Sequence, residues 1–178
     1  MDRRGGLTAE DIINQTPERD LTHILREYGE EKNARRIASA IVAARQKRPL
    51  TTTTELAAVI APVTNPRFVN KTLSRAFQAL RVVVNEEFDQ LRRGLAAAAD
   101  LLSVNGRMVV ISYHSLEDRI VKNFIRSHRA QALTETDETA ASAVTLRALT
   151  KKPVRPSPEE VRQNPRSRSA KLRAAERQ

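Results

Sequence analysis

Four consecutive apolar residues, Met108-Val109-Val110-Ile111, stand between an Asn105-Gly106 turn and a polar run from Ser112 to Arg119. This short run constrains the fold more than any other part of the chain. Bounded by a turn and rich in β-branched residues, it reads as a strand buried on both faces, as in a parallel sheet. Helical periodicity flanks it. On the N-terminal side Phe77, Leu80, Val84, Phe88 and Leu91 mark a long helix over about 71–102, with a kink expected near Gly94. On the C-terminal side Leu116, Ile120, Val121, Phe124 and Ile125 mark another. Helix, turn, strand, loop and helix in that order make one unit of an open α/β fold.

The first 65 residues read as helices joined by turns. Thr8, with Glu10 and Asp11 behind it, is an N-cap with acids in the first turn, and Thr16-Pro17-Glu18 repeats the device with Pro at the first helical position. The clearest helix covers about 31–47, where Ala34, Ile37, Ala38, Ile41 and Val42 form one apolar stripe. A short helix over 55–61 follows the Thr51–Thr54 run and stops at Pro62; Asn65-Pro66 is a loop. Residues 129–149 read as a linker. Leu149–Val154 and Ala170–Ala174 are candidate short strands, separated by proline-rich and polar residues.

Charge points to the partner. Lys and Arg outnumber Asp and Glu by 31 to 21, a formal +10, and the sequence pI is near 10.8. Residues 151–178 hold nine basic side chains against Glu159, Glu160 and Glu176, so this tail supplies +6 of the total. Such an excess implies a polyanion, with nucleic acid ahead of an anionic membrane; a solvated tail that only aids solubility is the plainer alternative. No apolar run reaches membrane-spanning length, and no signal-peptide core follows Met1. The absence of cysteine removes disulfides and thiolate metal sites and suits a reducing cytoplasm. His23, His114 and His128 lack metal-ligand spacing, so no metal site is expected. The five glycines form neither a G-x-G-x-x-G turn nor a P-loop.

Reactive groups are densest at Ser112-Tyr113-His114-Ser115-Leu116-Glu117-Asp118-Arg119, just past the strand, where open α/β sheets bind ligands. His114 or a carboxylate there is able to handle a proton or hydrogen-bond a base edge. The structural alternative is that Ser115 caps the next helix while Glu117 and Asp118 serve its dipole. Gln78, Arg81 and Asn85 share one helical face, suited either to a substrate groove or to a domain junction. Asn164 to Arg173 alternates cations with small hydroxyls, an arrangement that contacts successive phosphates, and its lack of aromatics argues against base stacking.

Four blocks, in order, resemble the MraW/RsmH-type bacterial methyltransferases, which N4-methylate a cytidine in the decoding region of 16S ribosomal RNA. They are Tyr28-Gly29-Glu30-Glu31 with Ala34-Arg35-Arg36-Ile37-Ala38; Phe77-Gln78-Ala79-Leu80-Arg81 with Val84-Asn85-Glu86-Glu87; Gly106 through Arg119; and Leu149-Thr150-Lys151-Lys152-Pro153 with Asn164 through Arg173. The resemblance implies a Rossmann-like core that uses S-adenosyl-L-methionine (SAM), interrupted by a helical, substrate-recognising insertion. Residues 1–70 then correspond to the insertion. Residues 71–178 correspond to the C-terminal half of the core, with a basic tail from about 150. It also implies His114, Ser115, Glu117 and Asp118 as active-site neighbours. Arg119, Lys151, Lys152, Arg166, Arg168, Lys171 and Arg173 become contacts to 16S rRNA in the small subunit.

Two departures stand out. The family's N-terminal half, with the Gly-rich turn that holds SAM, has no counterpart here, so no SAM-binding residue carries over, and the strand at 108–111 is expected to miss its parallel neighbours. Poor folding outside residues 1–65 and an inactive isolated chain are the corresponding expectations. In addition, Arg67-Phe68-Val69-Asn70-Lys71-Thr72 replaces the family's His-Pro-Ala-Thr-Arg-like lead. The rival to an enzyme is a non-catalytic RNA-binding or ribosome-assembly remnant that keeps the insertion and the basic tail.

Overall fold

The computed structural model describes residues 6–129 and 144–178, which fall into two compact units, 1–87 and 88–178. The first is all helical. Helix α1 (Ala9–Gln15) starts at Thr8, whose hydroxyl accepts from the Asp11 N–H at 3.1 Å while Asp11 Oδ2 accepts from the Thr8 N–H at 2.9 Å. Thr52 and Glu55 build the same reciprocal cap on α4 (Thr53–Ile60), satisfying two otherwise orphaned amides. Pro17 stands one position earlier than expected, at the N-cap of α2 (Glu18–Glu27), and lends no side-chain bond. The stripe expected over 31–47 forms α3 (Ala34–Arg45), with Ala34, Ile37, Ala38 and Ile41 buried.

These helices enclose Ile12, Leu21, Leu25, Ile37, Ile41 and Ile60, all essentially inaccessible. Helix α5 (Val69–Val84) adds Ala76, Ala79 and Leu80 to the same core, so this compact unit runs on to Glu87. A Cβ on Gly29 would lie 2.7 Å from the carbonyl oxygens of both Leu25 and Arg75, so the close approach of α2 and α5 needs glycine there. Asn14 clamps the Leu50 backbone with two 2.9 Å hydrogen bonds, tying α1 to the start of the α4 segment.

The expected helix over 71–102 is two helices. It breaks at Asn85-Glu86, with Glu86 left-handed at φ 49°, and α6 (Glu87–Leu101) follows. Gly94 lies inside α6 in open space. A residue in the left-handed region after the last helical turn is a common helix stop, here taken by Glu where Gly is usual.

The second unit carries a three-stranded sheet ordered β1-β3-β2, with strands β1 (Arg107–Ser112), β2 (Leu146–Ala148) and β3 (Lys171–Arg177), both pairings antiparallel. The expectation of a parallel strand buried on both faces is corrected accordingly. Among the described residues β1 is an edge strand whose burial alternates: Met108 and Ser112 are buried, while Val109 and Ile111 are 58% and 53% exposed. One neighbour and one covered face bury only every second side chain of an apolar run. The covered face packs on α6 and on α7 (Ser115–Ser127) through Leu95, Ala99, Met108, Val121, Ile125, Leu146 and Ala175.

Of the two candidate strands in the tail, 170–174 lies mainly in β3, whereas 149–154 contributes only a bridge, Val154 to Leu172. The expected linker over 129–149 lies mainly outside the described residues, and its end forms β2. Helix α8 (Pro158–Gln163), capped by Ser157, occupies part of the proline-rich and polar stretch between the two candidate strands.

Candidate functional site

The C-terminal end of β1 delivers Ser112, Tyr113 and His114 to the start of α7. His114, not Ser115, is the N-cap residue: its Nδ1 accepts from the Glu117 N–H at 3.4 Å. Glu117 replies with Oε2, which accepts from the Tyr113 N–H at 2.8 Å and the His114 N–H at 3.4 Å. His114 Nε2 stands 3.2 Å from Glu117 Oε1, an ion-pair distance, and this buried nitrogen has no hydrogen-bond partner among the described residues. Its ring packs on Phe88, 5.9 Å between centroids. Desolvation raises the Glu117 carboxyl, yet the His114 ring and the Tyr113 N–H outweigh it and hold the group down at about 2.

One turn along α7, Asp118 meets β3. Arg173 donates to it twice, Nε to Oδ1 at 2.7 Å and Nη2 to Oδ2 at 3.1 Å, and Lys171 Nζ lies 3.9 Å away. The Arg173 hydrogen bonds, opposed by desolvation and aided by the positive charges of Arg173, Lys171 and Lys122, lower the Asp118 carboxyl below its usual value. Thus the fold brings together His114, Ser115, Glu117 and Asp118 with Lys171 and Arg173 from a segment more than fifty residues away. Arg173 is only 9% exposed at its side chain, so its guanidinium is committed to Asp118.

Other candidates lie apart from this cluster. Arg166 and Arg168 project from an exposed 3-10 turn, Pro165–Ser169, and make no ion pair with a described residue. Lys151 and Lys152 are exposed on the loop before it. Gln78 Nε2 donates to the Tyr28 carbonyl at 3.2 Å, while Arg81 and Asn85 converge on the Glu87 carboxylate at 2.8 and 3.1 Å. All three therefore hold backbone or bridge the α5–α6 break.

Sequence reading passed over Lys122, Arg126 and Arg129, three cations at i, i+4 and i+7 that line a cavity of about 520 Å³ beside β2. Their spacing on one helical face is the sequence signal for this, and the stronger apolar periodicity of α7 obscures it. Among the described residues no cluster of three or more His, Asp or Glu is placed to hold a metal ion, and no helix is long and apolar enough to cross a membrane.

A family model described as the MraW methylase family matches residues 1–178. The chain belongs to the MraW methylase family. Among its relatives is the ribosomal RNA small subunit methyltransferase H of Bacteroides thetaiotaomicron, 45% identical over 176 residues, which cover 99% of this chain and 58% of the relative. Proteins of the same name from Caldicellulosiruptor bescii and Bradyrhizobium diazoefficiens are 45% and 47% identical, with 99% and 98% of this chain and 59% and 54% of the relatives covered. The chain therefore spans little more than half the length of these relatives. The Ser112–Arg119 turn and the basic tail both lie within the part that matches the MraW family.

Proposed function

We propose that this chain carries the RNA-facing part of a SAM-dependent enzyme that methylates N4 of a cytidine in 16S rRNA within the small ribosomal subunit. The observation that carries the reading is the family match over the whole chain, taken with the ordered His114–Asp118 turn at the mouth of β1. In this reading residues 1–70 are the insertion and residues 71–178 are the returning part of a Rossmann-like core.

The described residues do not by themselves form a cradle for SAM. The turn joining β1 to α7 contains no glycine, and Gly29 is consumed by helix packing. No residue of this chain is assigned to the cofactor, and SAM itself is taken from the family. What the chain offers is recognition of the acceptor base. Because Nδ1 of His114 accepts a hydrogen bond, the neutral ring carries its proton on Nε2, a tautomer assigned from that bond. Buried Nε2 faces Glu117 Oε1 at 3.2 Å, so His114 serves the site by fixing Glu117 and the Tyr113–Ser115 turn, with its own ring packed on Phe88. Asp118, Arg119 and Ser115 flank it. Arg166, Arg168, Lys151, Lys152 and Lys171 are the proposed phosphate contacts, whereas Arg173 acts by positioning Asp118.

A chimera tests the proposal. The matching 58% of the Bacteroides thetaiotaomicron relative is replaced by this chain, and small subunits lacking the modification are assayed for N4-methylcytidine by nucleoside mass spectrometry. The chimera should methylate, and His114→Ala within it should lose roughly 100-fold in rate, the cost of a site misplaced by about 1 Å once the cap is gone. A folded, SAM-binding chimera that binds RNA but forms no methylcytidine would overturn the enzyme in favour of the RNA-binding remnant.

A further inference from the structure

We infer that the cavity between α7 and β2 is a cleft for RNA phosphates, a second anchoring site besides the exposed basic turn at 165–169; this rests on the RNA-directed reading above. Its volume is about 520 Å³, and six cationic side chains line it with no Asp or Glu side chain among them. Two of the six are already spent. Arg147 is held by Glu176, and Arg173 by Asp118. The remaining four, Lys122, Arg126, Arg129 and Lys151, are exposed and make no ion pair with a described residue.

Fold stability does not account for that arrangement. Lys122 and Arg126 are four residues apart on one face of α7, and like charges at that spacing weaken a helix. The helix dipole favours cations in the last turn, which explains Arg126 and Arg129. Lys122 also follows Asp118 by four residues on α7 and helps hold its charge, but none of this accounts for Lys151, which arrives from a separate loop after β2 to face the α7 cations. A bound anion accounts for all four at once. No aromatic side chain lines the cleft, so nothing there stacks a base; it reads backbone and not sequence. Lys122 and Arg126 lie eight and twelve residues along from His114, or about 12 and 18 Å at the helical rise. The cleft is therefore placed to grip the strand a few nucleotides from a base at His114.

The experiment measures the affinity of the full chain for a fluorescent 16S rRNA fragment, and for an RNA of unrelated sequence, across a salt series. In the Lys122→Gln/Arg126→Gln/Lys151→Gln variant, the slope of log affinity against log salt should fall by about 2, equally for both RNAs. Lys122→Glu, at an exposed position, repeats the test should the triple variant not fold. An unchanged slope overturns the cleft and leaves the methyltransferase reading standing on its chimera. Failure of the unaltered chain to bind either RNA overturns both.

Discussion

Replacing Arg173 by alanine would strip the Asp118 carboxylate, itself largely buried, of both its guanidinium hydrogen bonds. Breaking a largely buried pair from one side is destabilising, and with Lys171 3.9 Å away still offsetting part of the charge we expect a loss of about 2 kcal/mol, read from urea unfolding midpoints. Arg173→Lys should recover only part of it, because an ammonium cannot make the two-pronged bond. Glu117 lends itself to a pH test. Its carboxyl titrates at about 2 when folded and near 4.5 when not, so the unfolded chain binds the proton first as pH falls. Its stabilisation is complete above about 4.5 and is lost as pH falls towards 2. Glu117→Gln should therefore be less stable than the parent at pH 6, with the gap closing between pH 4.5 and 2. A gap that stays constant over that range would remove the Glu117 cap from the account.

At the scale of elements, the sheet combines a well-specified interior with an unfinished exterior. Glu176, on the central strand, meets its register partners Arg107 on β1 and Arg147 on β2, so one carboxylate spans all three strands. On the same face of β1, two and four residues beyond Arg107, Val109 and Ile111 are exposed. Exposed β-branched residues on an edge strand invite pairing with another chain. Val109→Thr/Ile111→Thr should reduce concentration-dependent association in light scattering while leaving the midpoint of unfolding within about 0.5 kcal/mol, as for other surface changes. A larger destabilisation would mean that these side chains are covered in solution.

Considered whole, the two units differ in how completely they are enclosed. The first contains six of the eight largest fully buried side chains, Ile12, Leu21, Leu25, Ile37, Ile41 and Ile60, and the second contains the other two, Val121 and Leu146. Apolar burial is the main favourable contribution, so the helical unit should be the more persistent. Hydrogen exchange should show amides of α2 and α3 protected longer than those of β1. Equal protection throughout would refute this and would mean that residues 88–178 are as stable as the helices.

Local chemistry was readable from the chain alone. The Thr8 cap, the α3 stripe and the polar turn after Met108–Ile111 all depend on neighbours within one helical turn or one strand, and each formed where its residues demanded. So did the family resemblance, which rests on order along the chain. Other features required contacts that no local pattern encodes. The Arg173–Asp118 bond joins residues 55 positions apart, and it commits to Asp118 a guanidinium that the sequence left open to a phosphate. An apolar run states that a strand is able to be buried, but which faces are covered depends on what packs there, and β1 met a single antiparallel neighbour. The break at Asn85-Glu86 went unseen because the apolar stripe continues through it. The cations of α7 became a cleft only when β2 and the Lys151 loop folded back beside them. Side-chain chemistry and short-range spacing belong to the sequence; the pairing of distant charges and the covering of faces belong to the tertiary fold, because both are decided by which surfaces exclude water together.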